Sequence, residues 1–370
     1  MDVQKLEKIL QEKNQPKFRA EQIKKAIYQE GVSNFSEIST ISKDLRENLE
    51  KEIRLLSFEV QQVLVSKDKQ SIKALLKLPD GNLIETVLIS PIKDVWSACI
   101  SCQVGCAIGC HFCATGKMGL TRNLTSEEIT DQILFWKQYL AKNLKFKISN
   151  LKLNPNDKIQ NSKLEIRNYD VNSIVYMGMG EPFLNWEQVK NSLKELIDPS
   201  LFGFGSRSIS VSTSGIPEGI QKLADEFPQV NLALSLHFGT DEKRSAAIPI
   251  NRKNNLAALR EALKNYFQKT KRKVFLEYIM LSGVNDSSAD ADDLVRFVKS
   301  IGKSQLLHVN LIRYNATDSE FKSSSKERTV LFRDYLETMP ACRQENKISV
   351  TIRKSLGEEI QGACGQLAGK

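Results

Sequence analysis

The chain has 370 residues, with 53 Lys/Arg against 44 Asp/Glu and a formal net charge of +9. Hydrophobic residues at 41% and charged residues at 26% suit a globular chain whose core needs no disulfide staples. No apolar stretch reaches the roughly 18 residues of a membrane span, and the N-terminal MDVQKLEKILQEK has no apolar h-region, so neither a membrane span nor a signal peptide is expected, and a cytoplasmic protein is.

In chain order, the first sixty residues read as helices. KFRAEQIKKAIYQEG places Ile23, Ala26 and Ile27 on one face, and SKDLRENLEKEIRLL follows the same period. FEVQQVLV and SIKALLKL are strand-like, and PDGN at 79–82 makes a turn before LIETVLIS. Residues 58–90 thus predict a small antiparallel unit, and residues 1–90 an accessory domain of helices plus hairpin.

From residue 91 the pattern changes to alternating strands and helices. WSACIS, SIVYMG, SISVST, VNLALSL, KVFLEYIML and LLHVNLI read as strands. The first helix, LTSEEITDQILFWKQYL, carries a capping box in Thr125 and Glu128 and an apolar face of Ile129, Ile133, Trp136 and Leu140. Six β/α units predict an α/β fold with a parallel sheet, either doubly wound or a partial barrel, over residues 91–345. Such folds gather ligands at the carboxyl ends of their strands, where CQVGCAIGCHFC, GMGEP, STSG, SLH and RYN all fall. Residues 142–169 hold seven Lys/Arg and two acids, net +5, which suits either a solvated insertion or a phosphate-contacting loop. Residues 346–370 form a C-terminal segment containing ACGQLAG. No heptad or extended apolar patch demands a partner, so a monomer is expected.

Five of the seven cysteines lie between Cys99 and Cys113; the others are Cys342 and Cys364. In a reducing compartment such clustering points to metal binding or catalysis. A zinc ribbon would pair Cys99/Cys102 with Cys110/Cys113, but only seven residues separate the pairs and Cys106 is left idle. The C-x3-C-x2-C set of Cys106, Cys110 and Cys113 can hold three irons of a 4Fe–4S cube and leave the fourth open to a substrate. Buried structural thiols are the third reading, and the expected one for Cys342.

C-x3-C-x2-C with Phe112 before its last Cys, opening a β/α domain, resembles the radical S-adenosylmethionine superfamily. ACISCQVGCAIGCHFCATGKMGLTRNLTSEEI, GMGEPFLNW, VSTSGIP, LALSLH, IPINRK and ACGQLAG, in that order, resemble the RlmN/Cfr class of RNA adenosine methyltransferases. YQEGVSNFSEISTISKDLRENL resembles that family's small accessory domain. The resemblance implies a radical-SAM (β/α)6 partial barrel, a 4Fe–4S cluster on Cys106, Cys110 and Cys113, and two S-adenosylmethionine molecules per turnover. One molecule methylates Cys364. The other yields a 5′-deoxyadenosyl radical, which takes a hydrogen atom from that methyl group so that its carbon adds to adenine. Cys99 stands where the family resolves the resulting protein–RNA adduct through a disulfide with Cys364.

By the same resemblance Glu85 is a proton acceptor, although on sequence alone it reads as an outward-facing strand residue. Gly180, Glu181, Ser212, Ser235, Leu236, His237 and Asn315 would surround S-adenosylmethionine. Lys117 and Arg122 are candidates for holding phosphates. Cys102 departs from the family, which has Ser there, and Ala316 replaces the family's Pro. The implied partners are large-subunit ribosomal RNA, transfer RNA, and an electron donor such as flavodoxin or ferredoxin. ALSLH and IPINRKN look more like the branch that methylates adenine C2 than the C8 branch. A zinc-stabilised RNA-binding module would hold zinc and give Cys364 no task.

Overall fold

The structure, a computed structural model, describes residues 1–150, 170–338 and 348–369. Cys342 and most of the basic stretch 142–169 lie outside the described residues. The N-terminal helices Val3–Glu12, Phe18–Lys24 and Lys43–Glu52 form where the apolar period predicts them, with Leu6, Ile23, Ala26, Ile27, Leu45 and Leu49 buried against one another. Ser42 accepts the amide of Leu45 and so starts the third of these helices.

β1 (Glu59–Val65), β2 (Ser71–Lys77) and β3 (Leu83–Ile92) run antiparallel, and β3 continues antiparallel onto β4 (Val95–Cys99). A short ribbon of β5 (Gln103–Gly105) and β6 (Leu120–Asn123) stands apart. From β4 onward the sheet is parallel, through β7 (Val171–Tyr176), β8 (Ile209–Thr213), β9 (Asn231–Ser235), β10 (Val274–Met280), β11 (Leu307–Arg313) and β12 (Ser349–Arg353). The order β1-β2-β3-β4-β7-β8-β9-β10-β11-β12 makes one continuous sheet. β4 and β7 to β11 are each followed by a helix, giving the six units of a (β/α)6 partial barrel. The sequence reading lacked β12, whose Val350 and Ile352 are only half-buried at the sheet edge and form no long apolar run.

The helix Ser126–Asn150 shows how local sequence fixes the frame around the cysteines. Its capping box is formed: Glu128 N donates to Thr125 Oγ1 at 3.2 Å, and Thr125 N to the Glu128 carboxylate at 3.0 Å. Ile129, Ile133, Trp136 and Leu140 are buried as the period requires. The Trp136 indole donates to Thr86 Oγ1 at 3.0 Å, and that hydroxyl donates to the Cys99 carbonyl at 2.9 Å. A relay from helix to β3 thereby fixes the end of β4. Among the described residues no helix is long and apolar enough to cross a membrane.

Candidate active site

The ribbon β5–β6 closes the cysteine loop, with Val104 opposite Arg122 and the Cys106 amide donating to the Gly119 carbonyl at 2.8 Å. Gly105 sits at φ 76°, and a Cβ there would lie 1.9 Å from the Gly119 carbonyl oxygen. Only glycine lets the two arms of the loop meet so closely. Cys106, Cys110 and Cys113 then face a cavity of about 160 Å³ at the carboxyl ends of the strands. All six described cysteines are free thiols.

The opposite walls of this cavity come from strand ends. Glu181 is buried, with one oxygen accepting the Ser214 amide at 2.7 Å and the other the Phe183 amide at 3.2 Å. Burial pushes its carboxyl above the usual range, against the pull of those donors. Its own amide is held by Gln103 Oε1 at 2.8 Å. Gly180, at φ 107°, lets the chain pass over Gln103, where a Cβ would fall 2.6 Å from the Gln103 Cβ. Ser212 and Ser235 place their hydroxyls 3.4 Å apart on neighbouring strands.

His237 has a left-handed backbone, φ 60°, and its Nδ1 accepts the Ile279 amide at 3.1 Å. That bond puts the ring proton on Nε2, so the imidazole is a neutral donor. Burial, aided by Arg244, pushes its pKa down to about 3. Leu236 does not share this wall; its side chain is fully buried and its carbonyl takes Arg244 Nε at 3.1 Å.

Behind this wall lies Arg244, bonded to the carbonyls of the lining residues Ser214 and Ser235. Its guanidinium is completely buried, and its donors go to neutral acceptors: the carbonyls of Ser214, Ser235 and Leu236, and Asn251 Oδ1. Asn251 stands between it and Asp241. Burial lowers the Arg244 pKa to about 10, while the nearby Cys110 and Asp241 favour its charge. A buried cation hydrogen-bonded only to neutral groups calls for an anion next to it.

The thiols fit that demand. Burial pushes Cys106 up to about 12 and Cys110 well above its ordinary value, so both are protonated until a metal takes the protons' place. Three soft thiolate donors on one loop, beside an unneutralised guanidinium, suit an anionic iron–sulfur cube with one open iron. The alternative pairing with Cys99 and Cys102 is not assembled. Cys102 is buried with its carbonyl taking Leu124 N and Asn185 Nδ2, and Cys99 faces a different cavity.

That second cavity, of about 340 Å³, shares Cys113, Met177, Arg353 and Cys364 with the first. Cys99 lies on its floor beside Val87, its partner on β3. Burial pushes the Cys99 thiol up to about 12, and the neighbouring Cys364 adds to the shift. Cys364 presents surface to both cavities while desolvation raises its pKa against the pull of Arg353. The Arg353 guanidinium meets Glu277 at 3.4 Å; burial opposes its charge, but Glu277, Cys364 and Cys99 together outweigh this. Glu277 is also held by Asn310 Nδ2 at 2.9 Å.

Asn315 lines the second cavity and not the first; its Nδ2 donates to the Cys364 carbonyl at 3.2 Å. Glu85 is neither outward-facing nor in either cavity. It is 1% exposed and ion-paired with Lys73 at 2.6 Å. Arg122 is spent on a two-pronged pair with Glu128 and a contact with Asp80, and so is not a free phosphate ligand. Arg244, Glu277 and Arg353 escaped the sequence reading. Glu277 and Arg353 are each the one charged residue of a strand and Arg244 is one of four in its helix, and only burial distinguishes them.

Residues 1–55 match the ribosomal RNA large subunit methyltransferase N-terminal domain, and residues 100–298 the radical SAM superfamily. Relatives include the ribosomal RNA large subunit methyltransferase Cfr of Lachnoclostridium phytofermentans, 40% identical over 359 residues, covering 96% of this chain and 94% of that one. The Cfr protein of Bacillus velezensis is 37% identical over 370 residues, covering 99% and 95%. A crystallised radical SAM methyltransferase from Sphaerobacter thermophilus superposes with a TM-score of 0.84 at 36% identity, covering 100% of this chain and 98% of that one. The chain belongs to this RlmN/Cfr family of radical SAM methyltransferases, whose cofactors are a 4Fe–4S cluster and S-adenosylmethionine.

Proposed function

We propose that the protein methylates C2 of an adenosine in large-subunit ribosomal RNA, with Cys364 as methyl carrier and transfer RNA as a second substrate. The observation that carries this reading is the position of Cys364 between two cavities, one faced by the cysteine triad and one floored by Cys99. An aromatic C–H carbon offers no nucleophile, so a methyl group cannot simply be passed to it from a sulfonium. When bound, the cluster and S-adenosylmethionine supply a carbon radical that removes a hydrogen atom from a methyl group.

The chain's own residues would do the rest. Cys106, Cys110 and Cys113 hold three irons. Glu181 retains lone pairs for an ammonium group, and the neutral His237 donates from Nε2 to a cofactor oxygen. Arg353 favours the Cys364 thiolate, which accepts the methyl group. The target base enters the second cavity unstacked from its RNA. Once the carrier carbon is bonded to the base, the adduct radical would give up the ring proton and one electron, which the bound cluster would take up, and the Cys99 thiolate then attacks the Cys364 sulfur. The S–S bond forms, the S–C bond breaks, and the carbon leaves with the electron pair and takes a proton to become the methyl group.

The relatives' shared name, Cfr, favours a second reading in which C8 is the target. Digesting the methylated RNA and identifying the nucleoside separates 2-methyladenosine from 8-methyladenosine. Mass analysis of the Cys364 peptide after anaerobic expression tests both readings. One extra methyl group supports the carrier role, and an unmodified Cys364 in cluster-loaded protein supplied with S-adenosylmethionine sinks it.

A further inference from the structure

Glu85 has both carboxylate oxygens committed. Oε1 lies 2.6 Å from Lys73 Nζ, and Oε2 accepts the backbone amides of Ala368 at 2.7 Å and Gly369 at 3.2 Å. Both members of the pair are buried, Lys73 to 5% and Glu85 to 1% exposure. By the two-residue period of β3, Glu85 shares a face with Val87 and Ile89, which line the second cavity. Lys73 lies on that face too, since it pairs with Val87 across β2. Where Val87 and Ile89 meet the cavity, Glu85 meets the C-terminal segment that bears Cys364.

That segment runs along β2 and β3. A Cβ at Gly362 would touch the Lys73 Cβ at 3.5 Å, and one at Gly369 would lie 3.0 Å from the Leu83 carbonyl oxygen. Thr115 Oγ1 bonds the Leu367 carbonyl at 2.6 Å, and Asn315 Nδ2 bonds that of Cys364 at 3.2 Å. These two bonds use carbonyls of the segment. Glu85 takes its amides, which would otherwise be part-buried donors without acceptors.

We infer that the Lys73–Glu85 pair anchors the Cys364 segment against the accessory strands, so that Glu85 positions the methyl carrier and takes no proton from the substrate. Lys73 pairs with the buried carboxylate through one oxygen, and the other oxygen holds two adjacent amides together. The inference rests on Cys364 being the carrier only for its catalytic consequence; the anchoring itself does not depend on it.

An anchor and a base differ at one atom. Glutamine at position 85 keeps a carbonyl oxygen for the Ala368 and Gly369 amides but cannot act as a carboxylate base, and methionine at position 73 removes the lysine charge it would leave unpaired. The test uses cluster-loaded protein. Hydrogen exchange is followed by mass spectrometry in peptides covering 362–369, alongside turnover on a ribosomal RNA fragment across pH. E85A is expected to speed exchange of the segment at least about tenfold and to lower turnover. The double variant E85Q/K73M is expected to return exchange to within about threefold of wild type and to rescue turnover lost in E85A, with the pH profile unchanged.

Unchanged exchange in E85A overturns the anchor. A protected segment in E85Q/K73M with no rescue and a lost acidic limb in the pH profile overturns it too, and makes Glu85 the proton acceptor. Should E85A not fold, E85Q/K73M against wild type decides by the same two readouts. Failure of the carrier reading shows separately, as an unmethylated Cys364 in wild-type protein, and leaves the exchange comparison standing.

Discussion

The amide of Ala114 donates to the carbonyl of Gly365 at 2.8 Å. The residue after the last cysteine of the triad is thus bonded to the residue after Cys364, 251 positions later by numbering (365 − 114). This bond ties the cysteine loop to the C-terminal segment, and the Thr115 hydroxyl adds a second tie to the Leu367 carbonyl.

The Thr115 hydroxyl is therefore a direct target. In T115V the buried Leu367 carbonyl loses its donor with little change in side-chain volume, at a cost of about 1–3 kcal/mol. Exchange of the C-terminal peptide should rise while global unfolding in denaturant moves by less than that amount. A segment exchanging as in wild type would mean that the Thr115 bond does not hold it.

Arg244 makes an electrostatic prediction. R244M removes the buried positive charge beside Cys110 and leaves four acceptors without a donor. The cluster's reduction potential should fall by on the order of 50–100 mV, because the reduced, more negative cluster loses its cation. R244K should recover most of the shift. Redox titration followed by electron paramagnetic resonance reads it directly, and an unchanged potential in R244M would reduce Arg244 to a structural role.

Cys99 and Cys364 should fail at different steps. C364A should give no methylated RNA and no adduct. C99A should form the adduct but not resolve it, so RNA-linked protein accumulates in denaturing gels. Free release of product by C99A would remove the disulfide step from the scheme.

His237 carries a pH signature. Its folded pKa, about 3, lies below the unfolded value near 6.5, so the neutral ring stabilises the fold above pH 6.5 and this contribution is lost as pH falls. The loss between pH 7.5 and 5 amounts to about 2 kcal/mol. H237N tolerates the left-handed backbone and does not titrate. The stability difference between wild type and H237N should shrink by that amount over this range, measured by denaturant unfolding at each pH. A constant difference would show that the ring is protonated without penalty.

What could be read in the sequence was local. The C-x3-C-x2-C triad lies on one loop, and Thr125 and Glu128 form their cap because both partners fall within one helical turn. The six strands with following helices were legible because buried parallel strands are apolar runs. β12 was not, since a half-buried edge strand carries a weaker pattern.

The sequence by itself determined the family and the cofactor class, because the C-x3-C-x2-C spacing falls within a few residues and the family's motifs are contiguous. Only the tertiary structure decided what the charged residues do. It set Arg244 near Cys110, Arg353 in one cavity with Cys364 and Cys99, and Glu85 on the backbone of Ala368 and Gly369. A charged side chain acts through its burial and its partners, and both are contributed by segments distant in the chain.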